Sequence, residues 1–326
     1  MTAFGSHSEY GKLREVVIGN ADNLTLPPFG NDLRHYNNEL RTKLEGTNNK
    51  PLLIKEHFPE KWSKTKRQIE EIVKTFEDND VVVHQLRPYS NEEASYLEHL
   101  QKGCSQLYPA DPVFIIGNHY LEINIRRAYR RKEVFPIRDK VVPIMEKYSN
   151  VNYVAMPPAN PWSPSGEGPG PFLEGGDILI YDKNIIVGMG DLCSNFEGIQ
   201  WLTQYIEQFG YKVFPMPISP NILHALGTMC LLREGLLMAY LPALLEGLPA
   251  PLKNWDVIEL TYEEMQKHAS VGVSLDDKRY MIDPQFSRVI RELHKHHIEA
   301  IPTPCDEIGY WGGAIRCLIL PLRRDA

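Results

Sequence analysis

The sequence is poor in the features that mark a secreted, zinc-bound, nucleic-acid-binding or membrane-spanning protein. Its five cysteines, Cys104, Cys193, Cys230, Cys305 and Cys317, are odd in number, widely spaced and without a CxxC pair. That argues against a disulfide framework or a zinc site and for a reducing, cytoplasmic setting. Basic residues are outnumbered, 35 Lys and Arg against 42 Asp and Glu for a net charge of −7, so the footprint expected for nucleic acid or an anionic membrane is missing. The longest apolar run, Gly235 to Leu245, is too short to cross a bilayer and ends at Glu246. Charged Glu9, Lys12, Arg14 and Glu15 precede any apolar stretch, which is unlike a signal peptide. No low-complexity tail or obvious linker divides the chain, and the Pro/Gly/Ser-rich stretch from Pro157 to Pro171 reads as a long surface loop because strand signals resume directly after it. What remains, 326 residues with 43% hydrophobic and 24% charged side chains, is a soluble globular composition with ample material for a core.

A pattern recurs within it. Four times, two short apolar runs flank a tight polar tip: Val113–Ile116 and Tyr120–Ile123, Ile178–Tyr181 and Ile185–Val187, Met229–Leu232 and Leu236–Ala239, Val271–Leu275 and Tyr280–Ile282. Turn residues between β-rich runs predict hairpins. After three of them comes a helical stretch and another short strand: Ala128–Tyr148 then Val151–Met156, Ser194–Phe209 then Lys212–Met216, Pro284–His297 then Ala300–Pro302. Apolar residues at helical spacing, such as Ile199, Leu202, Ile206 and Phe209, support the helices. After the third hairpin, Pro242, Pro249 and Pro251 interrupt the expected helix. A fifth unit assembles from Leu13–Ile18, a helix over Trp62–Phe76, Val81–Leu86 and the C-terminal strand around Cys317–Leu320. Units repeating roughly every 45–65 residues suggest a closed ring; an open mixed α/β sheet with two lobes is the competing architecture.

The chemistry-bearing residues stand at strand mouths. Asp111 precedes the apolar Val113–Ile116 run, and Glu174-Gly-Gly-Asp177 precedes Ile178–Tyr181. Acids there often only form turns. Two glycines beside a carboxylate, however, allow close backbone approach to a ligand, and a planar guanidinium is best met by carboxylates. His224 lies in Asn221-Ile-Leu-His-Ala-Leu, where a core histidine is the alternative to a catalyst. The His294-Lys-His-His297 cluster reads as the exposed last turn of a helix rather than a metal tract, and the basic run Arg126–Lys132 as a solvated helix face. No metal or cofactor is expected. Among the thiols, Cys317 differs from the rest because Gly312 and Gly313 precede it and Arg316 adjoins it. A strand entered from that turn could present a thiol to a cavity, where neighbouring cations favour the thiolate; a buried core cysteine is the alternative.

The ordered set Asp111, Glu174-Gly-Gly-Asp177, His224 and Gly-Gly-x-x-x-Cys317 resembles the guanidino-group-modifying enzymes of the pentein superfamily, and most of all its amidinotransferases. Supporting stretches are Glu9 to Gly19, Leu26-Pro-Pro28, Asn195 to Trp201 and Pro321 to Arg324. The resemblance covers nearly the whole chain and implies a single α/β unit over 1–326, a five-bladed α/β propeller with pseudo-fivefold symmetry and an active site in its central channel. It implies that Cys317 attacks the guanidino carbon of an arginine-like donor and His224 moves the proton. By the same carry-over, Asp177 and Asp111 hold the guanidinium, Glu174 supports them and Ser270 contacts substrate. An amine acceptor is the expected second partner. Water in its place would give a hydrolase, and a non-catalytic binding module is the remaining reading. The resembled family is often dimeric, which makes a homodimer possible. This chain departs from many relatives by carrying Leu226 where an acid follows the histidine by two residues, and by lacking an arginine between Tyr240 and Leu252.

Overall fold

A computed structural model of the chain describes residues 4–26, 38–45, 51–101, 105–127, 130–159 and 170–325. Pro27, Pro28, Cys104, Ala128, Tyr129 and most of the loop read between Pro157 and Pro171 lie outside the described residues.

Five three-stranded sheets follow one plan: an antiparallel pair, then a third strand parallel to one member of the pair. The first unit pairs Val113–Ile116 with His119–Glu122, and after the helix Phe135–Met145 adds Asn152–Ala155. The second uses Ile178–Tyr181, Asn184–Met189, the helix Phe196–Ile206 and Lys212–Pro217. Asn195 starts that helix, its side chain accepting from Gly198 N, which satisfies a backbone donor that the helix leaves open. In the third unit, Met229–Arg233, Leu236–Ala239 and Asp256–Glu259, the prolines leave only short 3-10 turns at Leu241–Ala243 and Ala250–Leu252. The fourth is Val273–Ser274, Arg279–Ile282, the helix Ser287–Lys295 and Glu299–Pro302. In the fifth, Leu13–Ile18 pairs with Ile319–Arg324 on one side and Val82–Gln85 on the other, with the helix Pro59–Glu77 between them in sequence. That helix buries Thr65, Gln68, Ile69, Ile72, Val73 and Phe76, the three- and four-residue spacing of one face.

Five hydrophobic cores decide between ring and open sheet, because each is shared by two consecutive units. Phe114 and Ile116 pack with Ile178 and Ile180; Leu179 and Ile186 with Met229 and Leu231; Cys230 and Leu236 with Tyr280 and Ile282. Val273 and Met281 pack with Val16 and Ile319, and Val17 and Leu320 return to Val113 and Ile115. The last unit therefore packs on the first, and the five-bladed α/β propeller is closed. Burial falls across each blade: Val113–Ile116 is fully buried whereas three of four residues in Asn152–Ala155 are exposed. Buried first strands surround the axis, and outer strands face solvent.

An extended segment before Leu13 stitches four blades together. Gly5 N donates to Leu322 O, Gly117 N to Ser6 O, Glu9 N to Ile180 O and Leu13 N to Leu275 O. Glu9 is also paired with Arg316 at 3.1 Å.

Two expectations need correction. Cys317 is not on a strand: it lies in the helical turn Ile315–Leu318, two residues before the strand Ile319–Arg324 begins. The basic run is not a solvated face. The helix starts only at Phe135, next to Pro136, and in the turns before it Arg127 is 2% and Arg130 7% exposed. Among the described residues no helix is long and apolar enough to cross a membrane.

Candidate active site

Cys317 and His224 line two spaces, a wide cavity of about 980 Å3 and a narrow inner pocket of about 40 Å3, which also share Leu223 and Gly312. Asp111, Arg127 and Arg130 line the inner pocket. His224 is extended, immediately before the short turn Ala225–Gly227. Its Nε2 lies 2.7 Å from Glu174 Oε2 and its Nδ1 lies 3.9 Å from Asp111 Oδ1. Glu174 is held from three directions: Oε2 faces the imidazole, Oε1 accepts from Arg126 N at 2.9 Å, and its own N–H donates to Ser194 Oγ at 2.9 Å.

These contacts set the charges. Burial opposes ionisation of His224, but Asp111, the hydrogen bond to Glu174 and the charge of Asp177 outweigh it and raise the imidazole to about 9. Burial likewise opposes the Glu174 carboxylate, and the hydrogen bond and charge of His224, helped by Arg127, outweigh it and lower Glu174 to about 2. Near neutral pH the pair is imidazolium and carboxylate. Cys317 is pushed up to about 12, first by burial and then by the charge of Asp111, with Arg316 and Arg130 only partly compensating. Its resting form is the thiol.

The two acids of the Glu-Gly-Gly-Asp stretch exchange their expected positions. Asp177 does not line either space. Its Oδ2 accepts from Ser194 N at 3.0 Å and Ser194 Oγ at 2.7 Å, and its Oδ1 from Ala225 N at 2.9 Å. It fastens the segment carrying His224 and has no free oxygen facing a guanidinium. Glu174, expected behind it, is the acid that touches the histidine. Ser270 is also withdrawn from the cavity: it is fully buried, and its Oγ donates to Leu226 O at 2.7 Å. The glycines serve the fold rather than a ligand. A Cβ on Gly175 would fall 1.9 Å from Ala110 O, and one on Gly176 would fall 2.5 Å from His224 Nδ1 and 2.6 Å from its Cγ. Gly176→Ala therefore has to push a ring whose other nitrogen is anchored, and kcat is expected to fall about a hundredfold. Circular dichroism melting should move little, since the displaced group lies at a cavity wall.

Arg130 is the site residue that sequence reasoning missed. It donates to Asp111 Oδ2 at 2.7 Å and, through Nε and Nη2, to Glu133 at 2.8–3.1 Å. Glu133 also accepts from Ser105 N, and burial, partly offset by Arg130, lifts it to about 7. Asp111 Oδ1 is buried without a hydrogen-bond partner, the atom that a donor N–H would meet. The signal available in the sequence was a glutamate three residues after an arginine inside a basic run. Leu226 is buried at the wide cavity's wall, so that position adds no charge. Among the described residues no group of three or more His, Cys, Asp or Glu side chains is arranged to hold a metal ion. His294 and His297 are exposed around the end of the helix Ser287–Lys295.

Similarity to known proteins follows the same lines. Residues 47–324 match the model of the family described as N,N dimethylarginine dimethylhydrolase, eukaryotic. Mitochondrial glycine amidinotransferase of Danio rerio is 21% identical over 98% of this chain and 82% of its own. In structure, an amidinotransferase of the saxitoxin biosynthetic pathway from Microseira wollei superposes with a TM-score of 0.83 at 18% identity, covering 99% of this chain and 98% of its own. Inosamine-phosphate amidinotransferase from Streptomyces griseus does so with a TM-score of 0.77 at 17% identity, covering 100% and 98%. The two structures share this fold from end to end. The chain thus belongs to the N,N dimethylarginine dimethylhydrolase family and, with it, to the pentein superfamily of guanidino-group-modifying enzymes that includes the amidinotransferases.

Proposed function

We propose that the whole chain works as one amidinotransferase, moving the amidino group of L-arginine through Cys317 to an amine of a small metabolite. The observation that carries this reading is that Cys317 and His224 share a cavity of about 980 Å3, with room for an amine to replace the departing one beside a loaded cysteine. Similarity to a saxitoxin-pathway enzyme and to inosamine-phosphate amidinotransferase supports an acceptor of the kind used in natural-product biosynthesis. No cofactor enters the scheme.

The donor guanidinium binds with an N–H on Asp111 Oδ1, its cation stabilising the Cys317 thiolate. Sulfur bonds to the guanidino carbon and the bond from that carbon to the donor amine breaks. The amine leaves with a proton from His224, and the thiol proton takes its place on the imidazole. In the second half the steps reverse: the incoming amine attacks the amidino carbon, gives its proton through His224 to sulfur, and releases Cys317. Glu174 holds the imidazole in register throughout, and Asp177 and Ser270 act as positioning residues. Arg130 anchors Asp111.

Hydrolysis is the second reading, favoured by the name of the family that the sequence matches. Incubation with arginine followed by intact-mass and peptide analysis separates them. Transfer predicts an amidino adduct on Cys317, ornithine release and discharge that depends on an added amine. Citrulline accumulating at the same rate with and without amines sinks the transferase reading.

A further inference from the structure

The short helix Tyr262–Gln266 opens on a capping box at Thr261 and Glu264, and two residues past its end the chain turns through His268 at φ 67°. The left-handed region costs a residue with a Cβ roughly 1–2 kcal/mol and is taken at little cost by glycine. Strain of this kind held beside a cavity is a reason to ask what the side chain does there. The loop is fixed to both halves of the active site. Ser270 Oγ holds Leu226 O, two residues from His224, and Arg316 N donates to Val271 O at 3.0 Å, next to Cys317. His268 is thus carried at a set position relative to the nucleophile and the proton carrier.

His268 lines the wide cavity and is absent from the lining of the inner pocket where Asp111 lies. Burial alone lowers it, to about 4, and no charged or hydrogen-bonded neighbour contributes, so the imidazole is neutral near pH 7. A neutral imidazole offers one donor and one acceptor nitrogen, the complement of a hydroxyl group. Around it Asn221, Gln266, Tyr240 and Tyr262 extend the same neutral, hydrogen-bonding wall. Apart from His224 and the exposed Arg41, the described side chains lining the wide cavity other than Cys317 carry no ionisable charge near neutral pH. Among the described lining residues the carboxylate is Asp111, in the inner pocket, and the wall outside it suits an uncharged polar chain.

We propose that His268 is a specificity-determining residue that hydrogen-bonds a hydroxyl of the acceptor, so that the acceptor class is a hydroxylated primary amine. This rests on the amidinotransferase reading. The test loads Cys317 from arginine, removes the arginine and follows discharge of the adduct by serinol and by isopropylamine, which share a carbon skeleton and differ in their hydroxyls. In His268→Gly, which keeps the left-handed turn without strain, the serinol-to-isopropylamine rate ratio should fall about tenfold, the worth of one neutral hydrogen bond. The rate of loading from arginine should stay as in the wild type, and His268→Asn, which tolerates the turn and keeps a hydrogen-bonding group, should restore part of the ratio. An unchanged ratio in His268→Gly overturns the proposal, as does a loading rate that falls together with discharge, because that marks a structural role. Failure of the wild-type protein to load at all rejects the amidinotransferase reading instead.

Discussion

Cys317→Ala is expected to lower arginine turnover by a factor of about ten thousand or more, the scale on which covalent enzymes lose their nucleophile. Cys317→Ser should fare little better, because a hydroxyl in the same buried turn is harder still to ionise. Burial and Asp111 push the Cys317 thiol up to about 12, so sulfur becomes a nucleophile only when a cation joins it in the pocket. Two results follow in the wild-type protein. Alkylation of Cys317 by iodoacetamide at neutral pH should be slow, and a non-reacting guanidinium ligand that leaves sulfur accessible should speed it. Peptide mapping after a timed pulse measures both. Rapid labelling of the free enzyme at neutral pH would contradict the assignment, since it would mean that a thiolate already exists without substrate.

Glu174→Gln should have the next largest effect, a loss of about a hundredfold to a thousandfold in kcat with a displaced pH profile. His224 is held near 9 against the opposing effect of its own burial by Asp111, by the Glu174 hydrogen bond and by surrounding carboxylate charge. Removing the Glu174 charge lowers it, so the alkaline limb of activity, where the acid form disappears, should move to lower pH. The stability change has a defined sign. The raised histidine contributes stability that is full below about 6.5 and is lost as pH rises through about 9. The lowered glutamate contributes stability that is present above 4.5 and is lost as pH falls through about 2. Wild type and variant should therefore differ most between about pH 4.5 and 6.5, by about 1–3 kcal/mol because the amide still accepts a hydrogen bond, and converge above pH 9. Urea unfolding at pH 6 and pH 9.5 reads the difference. A gap that widens at pH 9.5 would show that the ion pair is not what Glu174 contributes.

The ring was legible in the sequence because its evidence is local. Hairpin tips such as Asp182-Lys183 and the helical spacing of Ile199, Leu202 and Ile206 depend on near neighbours, and so does the damage done by Pro242, Pro249 and Pro251. Closure was not local, and needed the cores that join Val273 to Ile319 and Val17 to Val113. The pairing of Cys317 with His224 came from order and resemblance, whereas the roles of the acids did not. Glu174 and Asp177 have the same glycine neighbours, and what separates them is tertiary: Ser194 and Ala225 claim both oxygens of Asp177, leaving Glu174 to the imidazole. Arg130 was hidden for the same reason. A basic run is solvated unless carboxylates arrive from elsewhere, and here Asp111 comes from a neighbouring turn. His268 lies in a region read for Ser270 instead, and what singles it out is a left-handed backbone angle at a residue that lines the wide cavity.

The sheet formed by Leu13–Ile18 and Ile319–Arg324 has a consequence for how the protein is made. The four blades between them are built from strands close together in sequence and can order as they leave the ribosome. The fifth joins residues about three hundred positions apart, so its loop-closure entropy is met last, and contact order of this kind slows folding. Until Ile319–Arg324 is synthesised, Leu13–Ile18 has no antiparallel partner, and Val113 and Val273 lack the half of their cover that Leu320 and Ile319 supply. In this order of synthesis the turn that carries Cys317 is among the last parts to settle. A chain stalled before that point would hold most of its blades without Cys317.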